Sequence, residues 1–218
     1  MNIISPSVMC INMLELKDQL IALDNAGVDM YHIDIMDGHY VPNFALNTYI
    51  MQNISQVSKT PMDVHLMVTN PDQYIEYFAN AGAEIITPHI ETLVHPIRTL
   101  KYIRSLGKKT GVAINPATDI TTLKYMVDFI DMVCVMTVDP GFAGQTLIPS
   151  SINKISEIRK LFSDAGKNID IMVDGQVKES TAPALVKAGA NVLVLGSSGL
   201  FCMDPVDYKK AISFYKNL

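Results

Sequence analysis

The 218-residue sequence contains no tryptophan and only three cysteines, Cys10, Cys134 and Cys202. An odd number of widely spaced cysteines provides no disulfide framework, so we expect reduced thiols and a cytoplasmic protein. Only 18% of the residues are charged, and no run of Lys or Arg marks a nucleic-acid-binding surface. No apolar stretch reaches the roughly 18 residues of a membrane span. The first residues lack a basic segment followed by an apolar core, so no signal peptide is expected.

Hydrophobic residues make up 49% of the sequence, and short apolar runs alternate with segments of helical apolar spacing. This composition favours a sheet that is buried on both faces. The predicted strands are residues 3–8, 30–35, 62–66, 85–88, 110–114, 132–137, 169–173 and 192–195. The clearest predicted helices are residues 14–25, 72–81, 94–106, 152–162 and 181–188. Several of these helices are followed directly by glycine, which is a common helix stop.

Eight strand–helix units without a linker predict one α/β domain, a single (β/α)₈ TIM barrel over residues 1–218. A doubly wound open sheet is the main alternative, because the same alternation builds both folds. The count of eight favours the barrel, as does the lack of a glycine-rich dinucleotide fingerprint after the first strand.

Two histidines and two aspartates stand at the ends of predicted strands: His32, Asp34, His65 and Asp174. His32 and Asp34 are two residues apart, so in a strand both side chains point to one face. In a barrel the carboxyl ends of the strands meet at one mouth, where we expect all four side chains. This set suits a divalent ion, Zn²⁺, Mn²⁺, Co²⁺ or iron. The alternative is that each is a satisfied polar group of the core.

Three loops after neighbouring strands are rich in glycine or serine, namely residues 138–145, 174–176 and 196–199. Glycine lets backbone N–H groups close on an anion, and the loops after strands seven and eight often bind phosphate in such barrels. These loops favour a phosphorylated substrate, although tight turns also need glycine.

Five motifs resemble those of the ribulose-phosphate 3-epimerase family, and the resemblance extends over essentially the whole chain. They are Ser5-Pro6-Ser7, the blocks 32–43, 63–68 and 135–145, and Val173-Asp174-Gly175. The twelve-residue block 32–43 is highly specific.

The resemblance implies a metal-dependent isomerase that epimerises a phosphorylated ketose at C3 through a metal-stabilised enediolate. It implies that His32, Asp34, His65 and Asp174 hold the metal, and that Asp34 and Asp174 are the catalytic acid–base pair. Ser7 and His65 would contact the sugar. The implied phosphate-binding residues are Gly141, Phe142, Ala143, Gly144, Gly175, Gln176, Gly196 and Ser197. The implied pocket-lining residues are Met36, Met67 and Met136, for which simple core packing is an equal alternative. Members of the family often form homo-oligomers, so a dimer or a hexamer is expected.

Details of the loops resemble the D-allulose-6-phosphate 3-epimerase branch, so we favour D-allulose 6-phosphate over D-ribulose 5-phosphate as the substrate. These details are Ala143 and Gln176, where the pentose enzymes usually have glycine, and the segment 196–201. Met172 is a second departure from the family, which usually has glutamate at this position. With methionine there, this chain lacks a polar group near the expected metal site. A non-catalytic phosphosugar-binding barrel stays open as a hypothesis, and so does a metal-dependent hydrolase barrel that would recruit His89.

Overall fold

The computed structural model describes all residues, 1–218. The eight strands are β1 (Ile3–Pro6), β2 (Tyr31–Met36), β3 (Met62–Met67), β4 (Ile85–Pro88), β5 (Lys109–Ile114), β6 (Met132–Met136), β7 (Asp170–Asp174) and β8 (Val192–Leu195). The seven α-helices are α1 (Leu16–Ala26), α2 (Thr48–Val57), α3 (Ile75–Asn80), α4 (Pro96–Ser105), α5 (Ser150–Asp164), α6 (Ala182–Lys187) and α7 (Tyr208–Lys216).

All neighbouring strands are parallel, in the order β1-β8-β7-β6-β5-β4-β3-β2. The joint between β1 and β2 is short. It consists of a parallel bridge between Ser7 and His32 and of backbone hydrogen bonds from Asp29 and Met30 to the Ile4 carbonyl. These contacts bring the two ends of the sheet together. The predicted (β/α)₈ barrel is therefore confirmed, and the open doubly wound sheet is not the fold.

The fifth unit differs from the expected repeat, because β5 is followed by a 3₁₀ turn (Ile120–Leu123) and not by an α-helix. Lys154 on α5 contacts this segment. Its ammonium group donates to the carbonyls of Asn115, Pro116 and Thr118 at 2.6–2.8 Å. These carbonyls are thereby held in an irregular loop, where they accept from a cation and not from a helical backbone.

The core has two layers. The larger one packs the outer faces of the strands against the helices. The smaller one fills the barrel interior and includes Met30, Cys134, Met136 and Met172. Met172, which we expected to leave a gap in the polar surroundings of the metal, is fully buried in this apolar layer. The polar cluster therefore lies against methionine and cysteine side chains.

No helix in the chain is both long and apolar enough to cross a bilayer.

Candidate functional site

His32, Asp34, His65 and Asp174 converge at one mouth of the barrel, as their positions at strand ends predicted. One ligand atom from each lies within 4.8 Å of those of the other three. Alternation along β2 turns His32 and Asp34 inward together, and the register that pairs Asp34 with His65 sets the two side by side. Asp174 is the last residue of β7.

The donor atoms of these four side chains face a common point. His32 Nε2 lies 3.4 Å from Asp34 Oδ1 and 3.7 Å from Asp174 Oδ2. His65 Nδ1 lies 3.3 and 3.8 Å from the same two oxygens. Two imidazole nitrogens and two carboxylates form a donor set that zinc and the neighbouring transition metals accept. The chemistry of the set fits a divalent metal ion, which this cluster could bind.

Charges in the cluster shift the pKa values of Asp34 and His32 in opposite directions. Burial alone would raise the pKa of Asp34, but the charge of His32 and side-chain contacts with His32 and His65 hold it well below its usual range. Burial alone would lower the pKa of His32, yet the Asp34 charge and contacts with Asp174 and Asp63 raise it well above its usual value. Without a metal, a proton on His32 thus takes the place of a cation beside the carboxylates.

The outer nitrogen of His32 has an acidic partner. Its Nδ1 lies 2.9 Å from Asp63 Oδ2, and the Thr87 hydroxyl donates to Asp63 Oδ1 at 2.5 Å. All three side chains are fully buried. Gly111 on β5 makes room for this arrangement, since a Cβ there would lie 2.0 Å from Thr87 Oγ1.

The outer nitrogen of His65 meets a second histidine. His65 Nε2 lies 2.8 Å from His89 Nε2, and the two rings stack with centroids 4.9 Å apart. On its far side, His89 Nδ1 lies 2.9 Å from the Tyr40 hydroxyl oxygen and 3.1 Å from Glu91 Oε2. Burial, with only partial opposition from Glu91, lowers the pKa of His89 to about 4, so it is neutral at physiological pH.

A cavity of about 570 Å³ opens above the cluster. Every sequence-predicted residue of the sugar, phosphate and pocket-lining sets contributes to its wall except His65. Of the four residues of the cluster, only Asp34 and Asp174 line the cavity, whereas His32 and His65 are fully buried beneath it. The contact between His65 and a sugar stays a prediction. Ser7 donates to Asp34 Oδ2 at 2.6 Å.

Side-chain hydrogen bonds fix the loop after β6, which lines the cavity. The Asn43 amide donates to the Gly141 carbonyl at 2.7 Å, and Gln145 Nε2 donates to the carbonyls of Asp139 and Phe142. Gly141 has φ of +113°, which glycine adopts without strain.

Gln176, in the loop after β7, is the one non-glycine residue of the chain with positive φ, at +50°. Its side-chain amide contacts the Ser198 hydroxyl at 3.0 Å and so joins the loops after β7 and β8. A family glycine would adopt this backbone without strain, whereas glutamine adopts it at a cost of roughly 1 kcal/mol.

Sequence reasoning assigned no role at the site to Asp63, Thr87, Tyr40 or Glu91. It gave His89 either to a rival class of enzyme or, by the family resemblance, to the surroundings of the pocket. A signal for Asp63 was present, because it precedes His65 by two residues and so shares its face of β3. His89 directly follows β4 at the same mouth. The contacts of Tyr40 and Glu91 come from loops, and no periodicity predicts them.

Comparison with known proteins agrees with this fold. The tryptophan synthase α-subunit of Pyrococcus furiosus superposes with a TM-score of 0.68 at 18% identity, covering 99% of this chain and 95% of that one, which shows the fold alone. The ribulose-phosphate 3-epimerase of Bacillus subtilis is 41% identical over 211 residues, 96% of each chain. That of Escherichia coli K12 is 39% identical over 211 residues, 96% of this chain and 92% of its own.

The chloroplastic ribulose-5-phosphate-3-epimerase of Arabidopsis thaliana is 40% identical over 216 residues, 98% of this chain and 76% of its own. The sequence profile of the Ribulose-phosphate 3 epimerase family matches residues 3–201. The family resemblance seen in the motifs is thus confirmed: the chain belongs to the ribulose-phosphate 3-epimerase family, isomerases that act on carbohydrate phosphates.

Proposed function

We propose that the chain is a metal-dependent ketose-phosphate 3-epimerase in which Asp34 and Asp174 exchange the proton on C3. One observation carries this proposal: of the four clustered side chains, the two carboxylates reach the cavity and the two histidines do not. The histidines are left to hold an ion, while both carboxylates remain accessible to a substrate. Asp34 and Asp174 come from β2 and β7, with β1 and β8 between them.

Epimerisation requires that a proton leave one face of a carbon and that another arrive on the opposite face. A single positioned base serves one face, so two acid–base groups are needed. Asp34 lines the cavity and would act as the base, and the Ser7 hydroxyl holds one of its oxygens in place. Asp174, with its side chain 19% exposed, is the more accessible of the two and would supply the second proton. A divalent ion held by the four residues would stabilise the negative charge that develops on the adjacent oxygens of the substrate.

The metal that the site takes is proposed as Zn²⁺, Mn²⁺, Co²⁺ or iron, because each accepts mixed imidazole and carboxylate ligands.

The phosphate end of the substrate would lie against the loops after β6, β7 and β8. These loops line the side of the cavity beyond Asp174 and include Gly144, Gly175 and Ser197. Backbone N–H groups in glycine-rich loops bind anions without obstruction by side chains. The methionines Met36, Met67 and Met136 also line the cavity, where they would exclude water from the reacting carbons.

D-ribulose 5-phosphate is the substrate that the comparisons favour, because the relatives at about 40% identity are named for the pentose. This reverses the preference drawn from the loop motifs. D-allulose 6-phosphate remains the second candidate on one observation: Gln176, in strained backbone and bonded to Ser198, changes the phosphate cradle. A change of one methylene-sized contact is worth about 1–3 kcal/mol, enough to reorder two such substrates.

The test is an assay of the metal-loaded protein on both sugars, following solvent deuterium incorporation at C3. We expect exchange with both sugars and a higher kcat/KM for the pentulose. A higher value for the hexulose would reassign the substrate. Exchange with neither, at confirmed metal content, would support a non-catalytic binding barrel and overturn the proposal.

Variants then assign the two carboxylates. We expect Asp34→Asn or Asp174→Asn to remove exchange at C3 while the protein stays folded. Asp170→Asn is the matched control, because it changes the same strand at the opposite end, where Asp170 accepts from Asn191. Near-native turnover by Asp174→Asn would refute its role.

We also propose a cytoplasmic homo-oligomer, a dimer or a hexamer. The three thiols are free, which is typical of a reducing compartment. Phe44, Tyr49 and Tyr77 are more than half exposed, and exposed aromatic side chains are common in interfaces. Light scattering coupled to gel filtration would give the subunit number, and a monomer at micromolar concentration would refute the assembly.

A further inference from the structure

His65 presents its two ring nitrogens to different surroundings. Nδ1 faces the cluster, 3.3 Å from Asp34 Oδ1, and Nε2 faces His89 Nε2 at 2.8 Å. A ring nitrogen that binds a cation must carry no proton, so a neutral His65 that uses Nδ1 carries its proton on Nε2. That N–H then donates to His89 Nε2, which must accept. The proton of His89 is consequently on Nδ1.

Glu91 is placed to receive that proton's hydrogen bond. Its Oε2 lies 3.1 Å from His89 Nδ1, and a carboxylate accepts but does not donate. Tyr40 is compatible with the same polarity. Its oxygen, 2.9 Å from His89 Nδ1, accepts from the Asn115 amide at 2.7 Å, and its hydroxyl donates to Glu91 at 3.4 Å.

The orientation of Glu91 is itself fixed from the other side. Its Oε1 accepts from the Asn115 backbone N–H at 2.9 Å and from the Thr118 hydroxyl. The backbone N–H can only donate, so Oε1 must remain an acceptor. Oε2 is the atom left to face His89.

We propose that Glu91 is a positioning residue that acts through His89 to fix the tautomer of His65 and keep its Nδ1 available to the metal. Glu91 does not line the cavity, and its carboxylate lies one imidazole ring beyond a metal ligand. His32 reaches the same result by direct contact with Asp63. Asp63 thus orients His32 directly, whereas Glu91 orients His65 through the ring of His89. This inference rests on the proposed metal site and not on the choice of sugar.

Glu91→Gln is the sharpest test, because glutamine keeps the shape of the side chain but replaces one acceptor oxygen with an NH₂ donor. The donors Asn115 and Thr118 hold the amide oxygen at the Oε1 position, so the NH₂ group faces His89 Nδ1. His89 must then accept at Nδ1 and carry its proton on Nε2, against the Nε2–H of His65. We expect about 10–100-fold weaker binding of Zn²⁺, the range typical for loss of an outer partner of a ligand.

Zn²⁺ affinity is measured without substrate, by competition with a chromophoric chelator. Glu76→Gln is the matched control, since it removes the same charge from α3, where Glu76 accepts from the exposed Tyr102 hydroxyl. We expect its Zn²⁺ affinity to equal that of the wild type. Tyr40→Phe keeps the carboxylate and should cost less affinity than Glu91→Gln.

Nitrogen-15 spectra of the histidines in the Zn²⁺-loaded wild type provide a second readout, which does not depend on the folding of any variant. We expect protons on Nε2 of His65 and on Nδ1 of His89. A His89 proton on Nε2 in the wild type, or unchanged Zn²⁺ affinity in folded Glu91→Gln, would overturn the inference. If Zn²⁺ binding depends on Glu91 but neither sugar is epimerised, the proposed function fails and this inference stands.

Discussion

Gly111 on β5 provides the space in which Thr87 can bind Asp63. A Cβ at position 111 would lie 2.0 Å from Thr87 Oγ1 and less than 3.0 Å from Thr87 Cβ and Cγ2. Thr87 is fully buried and β-branched, so it cannot rotate away without entering other packed atoms. We therefore predict that Gly111→Ala breaks the hydrogen bond from Thr87 to Asp63. Asp63, the partner of His32 Nδ1, is then no longer held by Thr87.

The size of the effect follows from three terms. Overpacking a close-packed core costs about 1–3 kcal/mol. Loss of a hydrogen bond to a charged group costs about 1.5–3 kcal/mol. Replacing glycine by alanine in compatible backbone returns about 0.4–1 kcal/mol through the unfolded state. The net loss is about 1.5–5.6 kcal/mol, which for a chain of this size lowers Tm by about 3–22 °C.

The assay is urea unfolding of Gly111→Ala in two backgrounds, the wild type and Thr87→Gly. The protein is kept metal-free, because metal binding would add its own stabilisation. In the Thr87→Gly background the three closest atoms are absent. There, Gly111→Ala should be neutral or stabilising by up to about 1 kcal/mol. Equal destabilisation in both backgrounds, or no destabilisation in the wild type, would refute the reasoning.

Three other predictions concern the site and its supports. Lys154→Met should reduce the free energy of unfolding by about 2–3 kcal/mol, because three loop carbonyls lose a charged donor; a change within error in urea unfolding would contradict this. Metal binding should release a proton from His32, whose raised pKa keeps it protonated in the metal-free protein, so affinity should rise with pH until that pKa is passed. Calorimetry in buffers of different ionisation enthalpy measures this release, and a binding enthalpy independent of buffer would exclude it. Asn43→Ala removes the bond to the Gly141 carbonyl and should raise KM about 2–10-fold with little change in kcat, whereas an unchanged KM would show that the loop needs no such support.

Strand positions and the cluster of four ligands were accessible to sequence reasoning because both follow from local periodicity. Alternation turned His32 and Asp34 to one face, and parallel strands bring their carboxyl ends to one mouth. The fifth unit was not accessible in this way. Its loop carbonyls accept hydrogen bonds from Lys154 on α5, almost forty residues away along the chain, and no local pattern predicts that contact.

The preference between the two candidate sugars marks another limit of what the sequence predicts. The loop motifs favoured the hexulose, and the relatives favour the pentulose. The two sugars differ by contacts that are worth a few kcal/mol at most. Turn chemistry predicts that such a loop exists, but it does not determine the reach of the pocket.

The sequence by itself determined the barrel and the four clustered residues, because these depend on the period of side chains along each strand. Its motifs also carried the resemblance to the family. Only the tertiary structure decided which of the four reach the cavity, and which buried groups stand behind them. The contacts of Thr87 with Asp63 and of His65 with His89 join side chains from different strands over distances of 2.5 and 2.8 Å. Hydrogen bonds form or fail within a few tenths of an ångström, and that precision comes from packing and not from pattern.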